Sequence, residues 1–172
     1  MTNYEVEFQK SSDICGPPFP EILSFFERFE GSQVKVLDLG CGQGRDALPI
    51  ARMGHSIVGV DVSKTGVTQM VNAAKRESLA VKGEVADISE YIPTEKYDVV
   101  VLDRVLHMLD GDKQRLSVLD KSSMATLQGG YIVIADTPKH LKSMRVYFGS
   151  RSDEWESIKD KNGFLFMKKL DR

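Results

Sequence analysis

The segment from Val36 to Ala51, VLDLGCGQGRDALPIA, constrains this chain more than any other. It sets an apolar strand directly against three glycines, Gly40, Gly42 and Gly44, and then a helical pattern. A strand turns that sharply into a helix only where positive φ angles cost little, and a missing Cβ also lets a ligand approach the backbone. Other runs rich in β-branched residues lie at Ser56–Asp61, Val81–Asp87, Tyr97–Asp103 and Gly130–Asp136, beside Val34–Leu39. Several are apolar throughout, so both of their faces are buried, and helical patterns separate them. That combination describes a helix-covered parallel sheet, an α/β layer fold.

The helical patterns can be placed. Ser63 caps a helix over Thr65–Glu77 with Val67, Met70, Val71 and Ala74 on one stripe. Lys113–Leu127 is expected to be helical until Gly129 and Gly130 stop it, and Thr137-Pro138 opens a helix over Lys139–Phe148. Pro20–Phe29 carries Ile22, Phe25, Phe26 and Phe29 at helical spacing. If Asp46 caps the helix after the glycine turn, Pro49 falls in its first turn, where its missing amide hydrogen has no intrahelical role, so regular helix is predicted from about Ala47. At the C-terminal end Trp155–Asp160 and Phe164–Lys169 flank Asn162-Gly163, a type I′ turn signal. The prediction is a doubly wound, seven-stranded, mostly parallel sheet with an antiparallel C-terminal hairpin strand and helices on both faces. Residues 1–19 are expected to form a mobile arm or a lid.

A length of 172 residues suits one domain with room for one chemistry. The formal charge of −2 argues against nucleic acid or an anionic membrane as main partner, and no apolar run approaches the roughly 18 residues of a membrane span. Two cysteines, Cys15 and Cys41, make neither a disulfide framework nor a metal site, and no histidine pair has metal spacing. The N-terminus reads as neither signal nor anchor, so a cytoplasmic protein, monomer or homodimer, is expected.

Three carboxylates frame the glycine turn. Asp61 ends the second strand, where a carboxylate accepts both hydroxyls of a ribose, and Asp87 follows the third, within reach of an adenine amino group. Asp38 lies inside the strand just before the glycines. An anion there repels a pyrophosphate but holds an amino group, which favours S-adenosylmethionine over a dinucleotide.

At these residues the chain resembles the class I S-adenosylmethionine-dependent methyltransferases, whose Rossmann-like sheet has seven strands with the last one reversed. The stretch GCGQGRDALPIARMGHSIVGVDVS is more narrowly similar to the tellurite-resistance and thiopurine-type small-molecule methyltransferases, which share a GCGxGRD/N turn and a following Gly-His pair, here Gly54-His55. The resemblance implies a methyl transfer that leaves S-adenosylhomocysteine. It implies that Gly40, Cys41, Gly42 and Gly44 border the methionine portion and that Asp38 contacts its amino group. It places Asp61 and Val62 at the ribose, Asp87 and Ile88 at the adenine, and Asp103 at the cofactor's edge. Arg45 is either a contact to the ligand carboxylate or a surface arginine.

The acceptor is expected outside the carboxyl ends of the strands, near Asp103, Arg104, Val105 and His107 after strand four and Asp136–His140 after strand five. Asp103 either orients or deprotonates an acceptor, as a catalytic candidate, or is only a helix cap. His107 is either a base or a packed residue, and His55 and His140 read more simply as packed. Residues 137–172 carry nine Lys/Arg and five Asp/Glu, so Lys142 and Arg145 are candidates to attract an anion. With no inserted domain to grip a macromolecule, a small-molecule acceptor is expected: a thiol, a chalcogen oxyanion or another heteroatom nucleophile. Soft nucleophiles of that kind suit a site whose sequence shows no obvious base. The alternatives are a methyltransferase for RNA or protein that borrows recognition from a partner, and a non-catalytic cofactor-binding module.

Overall fold

Strand β1 (Lys35–Leu39) is buried along all but its first residue, and β2 (Ser56–Asp61) pairs with it in parallel from Lys35↔Ser56 to Leu39↔Val60. This computed structural model describes residues 4–11 and 13–171. Strand β3 (Val81–Val85) pairs with β2 in parallel, while β4 (Tyr97–Asp103) and β5 (Thr126–Ala135) form a second parallel pair. The tail hairpin, β6 (Trp155–Lys161) and β7 (Phe164–Lys169), turns at Asn162 and Gly163, both with positive φ, and β7 lies antiparallel to β5. The strand order is β3-β2-β1-β4-β5-β7-β6, the seven-stranded, mostly parallel sheet that the sequence predicts. The chain packs as two compact units, Met1–Ile88 and Ser89–Arg172.

In the first unit the helix after the glycine turn, α3 (Ala47–Arg52), begins where Pro49 predicts. Asp46 does not cap it: its side chain makes no cap hydrogen bond and its backbone is already helical, at φ −95° and ψ −42°. Helix α4 (Lys64–Arg76) starts as expected at Ser63, whose hydroxyl accepts the Gly66 amide, and buries Val67, Met70 and Ala74. The Pro20–Phe29 pattern gives α2 (Pro20–Phe26) and then a 3-10 turn over Glu27–Phe29. His55 is buried between Phe26 and Phe29 and its Nδ1 accepts the Val34 amide, so it is a packing residue.

In the second unit α5 (Gly111–Ala125) ends two residues earlier than expected. The Thr126 hydroxyl closes on the Ser122 carbonyl, Thr126 enters β5 opposite Tyr97, and Leu127 is left exposed rather than on a helix stripe. Gly129, at φ +72°, then carries the chain through a register irregularity before Tyr131 resumes pairing opposite Val99. Helix α6 (Pro138–Gly149) follows Thr137 as expected and buries Leu141, Met144 and Phe148. No helix among the described residues is long and apolar enough to cross a membrane.

The expected mobile arm is instead a short helix, α1 (Tyr4–Lys10), with Phe8 only 2% exposed. Seven residues are too few to stay helical alone, so docking holds α1 in shape. Replacing Phe8 with Ala should release α1 and expose residues 13–19 to protease while shifting the global unfolding midpoint little, because the segment opens locally. Unchanged protease resistance would contradict this, as would a loss of more than about 3 kcal/mol of global stability.

Candidate active site

The site of the first unit grows from the end of β1. Asp38 is 2% exposed, and its Oδ2 has no hydrogen-bond partner among the described residues. The chain then turns through Gly40 and Cys41, whose amides both donate to the Val60 carbonyl of β2 at 2.7 and 3.1 Å. Gly44 has φ +87°, and a Cβ there would lie 2.6 Å from Met70 Cγ of α4. Both the turn and the close helix packing therefore require glycine.

Asp61 fastens the turn from the opposite strand. Its Oδ2 accepts the Gly42 amide at 2.9 Å and its Oδ1 the Ser63 amide at 2.8 Å. Val62 beside it is 72% exposed, an apolar surface next to a carboxylate. The Ala86 amide donates to the Asp61 carbonyl, which carries the chain on to an exposed Asp87 and a buried Ile88.

The charges here are mostly of one sign. Burial, then the neighbouring Asp46 carboxylate, pushes Asp38 well above the ordinary carboxylate range, with Arg45 opposing and Asp61 adding to it. Burial likewise raises Asp46 against the pull of Arg45, and raises Asp61 against the Ser63 and Gly42 amides. Cys41 is buried, and desolvation followed by the Asp38 charge lifts its thiol well above its ordinary value, so it fills space rather than reacts. Arg45 does not stand at the surface: it donates to the Cys15 carbonyl at 3.3 Å and lies 3.5 Å from Asp46, its side chain 9% exposed. A cradle of three buried or half-buried carboxylates accepts a cation and rejects a phosphate.

Two side chains that the sequence left unassigned tie the arm to this turn. Gln43 donates to the Ser11 carbonyl at 2.6 Å and to Gln69 at 2.7 Å, and it accepts the Ile14 amide. Glu5 accepts from the Ser63 and Thr65 hydroxyls at 2.5 Å each, and these bonds hold it down to about 2. No local pattern announces either, because these partners lie between 26 and 60 residues away.

The second unit brings together a different set. Asp103 ends β4 buried, and Arg104, at φ +50°, donates its amide to the Ala135 carbonyl of β5. His107 lies in a 3-10 turn, Leu106–Met108, which the buried Arg115 clamps by donating to the carbonyls of Leu106 and Leu109 at 2.8 Å each. Asp136, whose carboxylate has no solvent exposure, accepts the His107 amide at 3.0 Å and the Thr137 amide at 2.7 Å, and faces His107 Nδ1 at 3.3 Å. His140 turns its Nδ1 to the Thr137 hydroxyl at 2.7 Å, with Asp136 at 3.6 Å. Arg145, expected as an anion attractor, is paired with Asp160 through both carboxylate oxygens.

Residues 30–165 match the family described as Methyltransferase domain. The chain belongs to the class I S-adenosylmethionine-dependent methyltransferases. It is 31% identical over 135 residues to Hemagglutinin 1 of Eikenella corrodens, covering 73% of this chain and 45% of that protein. It is 33% identical over 111 residues to the ubiquinone biosynthesis O-methyltransferase of Pelagibacter ubique, covering 64% and 45%. Its fold superimposes on the crystal structure of TehB from Haemophilus influenzae with a TM-score of 0.74 at 21% identity, covering 98% of this chain and 67% of that one. The chain thus spans under half the length of these two curated relatives.

Two measurements test the geometry of the turn. The native state holds protons on Asp38, Asp46 and Asp61 that the unfolded chain releases at about pH 4, so stability falls as pH rises from there through the raised native values. Asp38→Asn should flatten that decline in urea midpoints; a slope as steep as the wild type's would mean that Asp38 is not the buried acid described. Gly44→Ala should cost more than about 1 kcal/mol in the same assay, and a neutral result would deny the close contact with Met70.

Proposed function

We propose that this chain binds S-adenosylmethionine against the glycine turn and directs its methyl group to a nucleophilic heteroatom of a small molecule, leaving S-adenosylhomocysteine. The observation that carries this reading is the buried Asp38 carboxylate with an unsatisfied oxygen inside an acidic cradle. A methionine ammonium group would fill that need and turn a costly buried acid into a paired one. The backbone of Gly40, Cys41, Gly42 and Gly44 would border the methionine portion. The remaining lone pairs of Asp61 would take the ribose hydroxyls, with the exposed Val62 against the nucleoside and Asp87 and Ile88 at its adenine end. When bound, the cofactor supplies a methyl carbon activated by sulfonium, so the protein's share is positioning and exclusion of water.

Short connections at the carboxyl ends of the second unit's parallel strands support a small acceptor. Seven residues separate β4 from α5 and two separate β5 from α6, so no inserted element is present there to hold a macromolecule. The arm residues Cys15 and Gly16 share a recess of about 220 Å³ with Gln43, Gly44 and Arg45, which suits α1 and the segment after it as a cover for the turn.

Calorimetric titration with S-adenosylhomocysteine tests the reading. The wild type should bind, and Asp61→Ala should weaken binding by more than about tenfold, since hydrogen bonds to a charged group are worth about 1.5–3 kcal/mol each. Affinity should also drop as the pH falls through the raised Asp38 value, because only the ionised carboxylate pairs with ammonium. NAD binding in place of S-adenosylhomocysteine would overturn the assignment.

A further inference from the structure

We propose that β3, an open edge of the sheet, pairs antiparallel with β3 of a second copy of this chain, forming a two-fold homodimer centred on Gly83. The surface lies wholly within the first unit and is independent of the methyl-transfer reading.

The strand order ends on β3 at one side and on β6 at the other, and strands at such ends keep unpaired backbone groups. From Lys82 to Val85 every residue of β3 is exposed, and its register with β2 runs unbroken from Val81 to Val85. The strand contains no proline. Strand β6 is guarded differently: its pairing is irregular between Ser157 and Lys159, and its Asp160 is held by Arg145. A regular edge with neither bulge nor proline is one that another strand can extend. Which groups of β3 point outward follows from its bonds to β2. The Ala80 carbonyl accepts the Ile57 amide at 2.8 Å, and the Ala86 amide donates to the Asp61 carbonyl at 3.0 Å. Successive residues of a strand aim their amide and carbonyl to opposite sides, so residues 80, 82, 84 and 86 face β2 and residues 81, 83 and 85 face outward. Val81 donates its amide to the Leu79 carbonyl at 3.0 Å, which leaves the amides of Gly83 and Val85 and the carbonyls of Val81, Gly83 and Val85 for a partner.

Charge complementarity makes that partner a second copy. Two chains that meet through the same edge are related by a two-fold axis, which sets the strands antiparallel. Outward residues must then oppose outward residues, because a slip by one would bring up groups already bonded to β2. The registers that remain differ in their side chains. With Gly83 opposite the second copy's Gly83, the segment Val81-Lys82-Gly83-Glu84-Val85 is its own complement: Val81 opposes Val85, and Lys82 opposes Glu84, on both sides of the axis. A slip by two residues in one direction sets Lys82 against Lys82, and in the other direction Glu84 against Glu84. Opposite charges directly across an antiparallel pair are favourable and like charges unfavourable, so the sequence selects the Gly83 register.

In that ladder the Gly83 amides bond the facing Gly83 carbonyls, and each Val85 amide bonds the facing Val81 carbonyl. Lys82 and Glu84 fall at the non-hydrogen-bonded positions, where facing side chains come closest. Among the described residues neither has an ion-pair partner within its own chain. Gly83 is dictated by packing on α4, since a Cβ there would lie 2.5 Å from Val67 Cγ1 and 2.7 Å from Val71 Cγ2, and it leaves the axis backbone against backbone. A strand of five residues makes a small interface, so the dimer is expected to dissociate at about 10–500 µM.

Sedimentation velocity of the full chain, loaded from about 5 µM to about 1 mM, tests this, and the wild type should pass from monomer to dimer across that range. Lys82→Glu and Glu84→Lys should each weaken self-association by about tenfold or more, because each sets two like-charged pairs across the axis. Mixed together, those two variants should associate with each other to within about threefold of the wild type, since every facing pair is again of opposite sign. The doubly exchanged Lys82→Glu/Glu84→Lys chain should self-associate once more. Val85→Pro removes an outward amide and no bond to β2, so it should abolish the dimer while leaving the thermal midpoint near that of the wild type. Amide hydrogen exchange on the same samples locates the contact: Gly83 and Val85 should slow as concentration rises, whereas Lys82 and Glu84, already bonded to β2, should not change. A wild type that stays monomeric at the highest loading overturns the proposal. So does a dimer that neither charge reversal weakens, or one in which Gly83 and Val85 exchange as fast as in the monomer.

Discussion

The carboxylate of Asp61 accepts two backbone amides, one from the glycine turn and one from the start of α4, and the geometry of the first unit follows from that closure. It draws the turn after β1 against the loop after β2, which brings Gly44 under Met70 and leaves Ser63 free to cap α4 with its hydroxyl. The Asp61 backbone takes part too, its carbonyl receiving the Ala86 amide on the way to Asp87. One residue thus sets the positions of three loops at the carboxyl end of three strands. A carboxylate is suited to this because it accepts several bonds at once and strengthens each with its charge.

The closure concentrates negative charge where a chain would ordinarily avoid it. Asp38 and Asp46 are buried beside it with a single guanidinium, Arg45, to offset them. Folding therefore shields acids at a cost in stability that a bound cation reverses, so the sign of the pocket and the sign of its ligand are one constraint seen from two sides. This is also why Arg45 does not project outward. Its Nη2 lies toward Asp46, and its Nη1 donates to the Cys15 carbonyl of the arm.

How much of this could be read from the sequence depended on the range of each interaction. Pro49, the Ser63 cap and Asn162-Gly163 act within one turn of chain, and α3, α4 and the hairpin fall where those residues put them. The glycines and the three carboxylates around them were equally legible, because strand ends in an α/β sheet fix what lies at the turn. The docking of α1 was not, since Phe8, Glu5 and Gln43 bond across tens of residues and look polar or unremarkable in isolation. Asp46 misled for a different reason: its type suits a cap, but burial beside Asp38 and Arg45 outweighs one hydrogen bond. The end of α5 moved because Thr126, β-branched and opposite Tyr97, gains more from pairing in β5 than from another helical residue.

The histidines show the same limit in its sharpest form. His55, His107 and His140 differ little in their local sequence, and each reads most simply as packed. What separates His107 and His140 from the packed His55 is Asp136, twenty-nine residues beyond His107, which no periodicity links to it. Once β4 and β5 run parallel and adjacent, the residues after their ends meet regardless of separation along the chain, and one buried carboxylate faces Nδ1 of both His107 and His140. Short-range patterns place the elements, but the contacts of His107 and His140 come from which strand ends the topology makes neighbours.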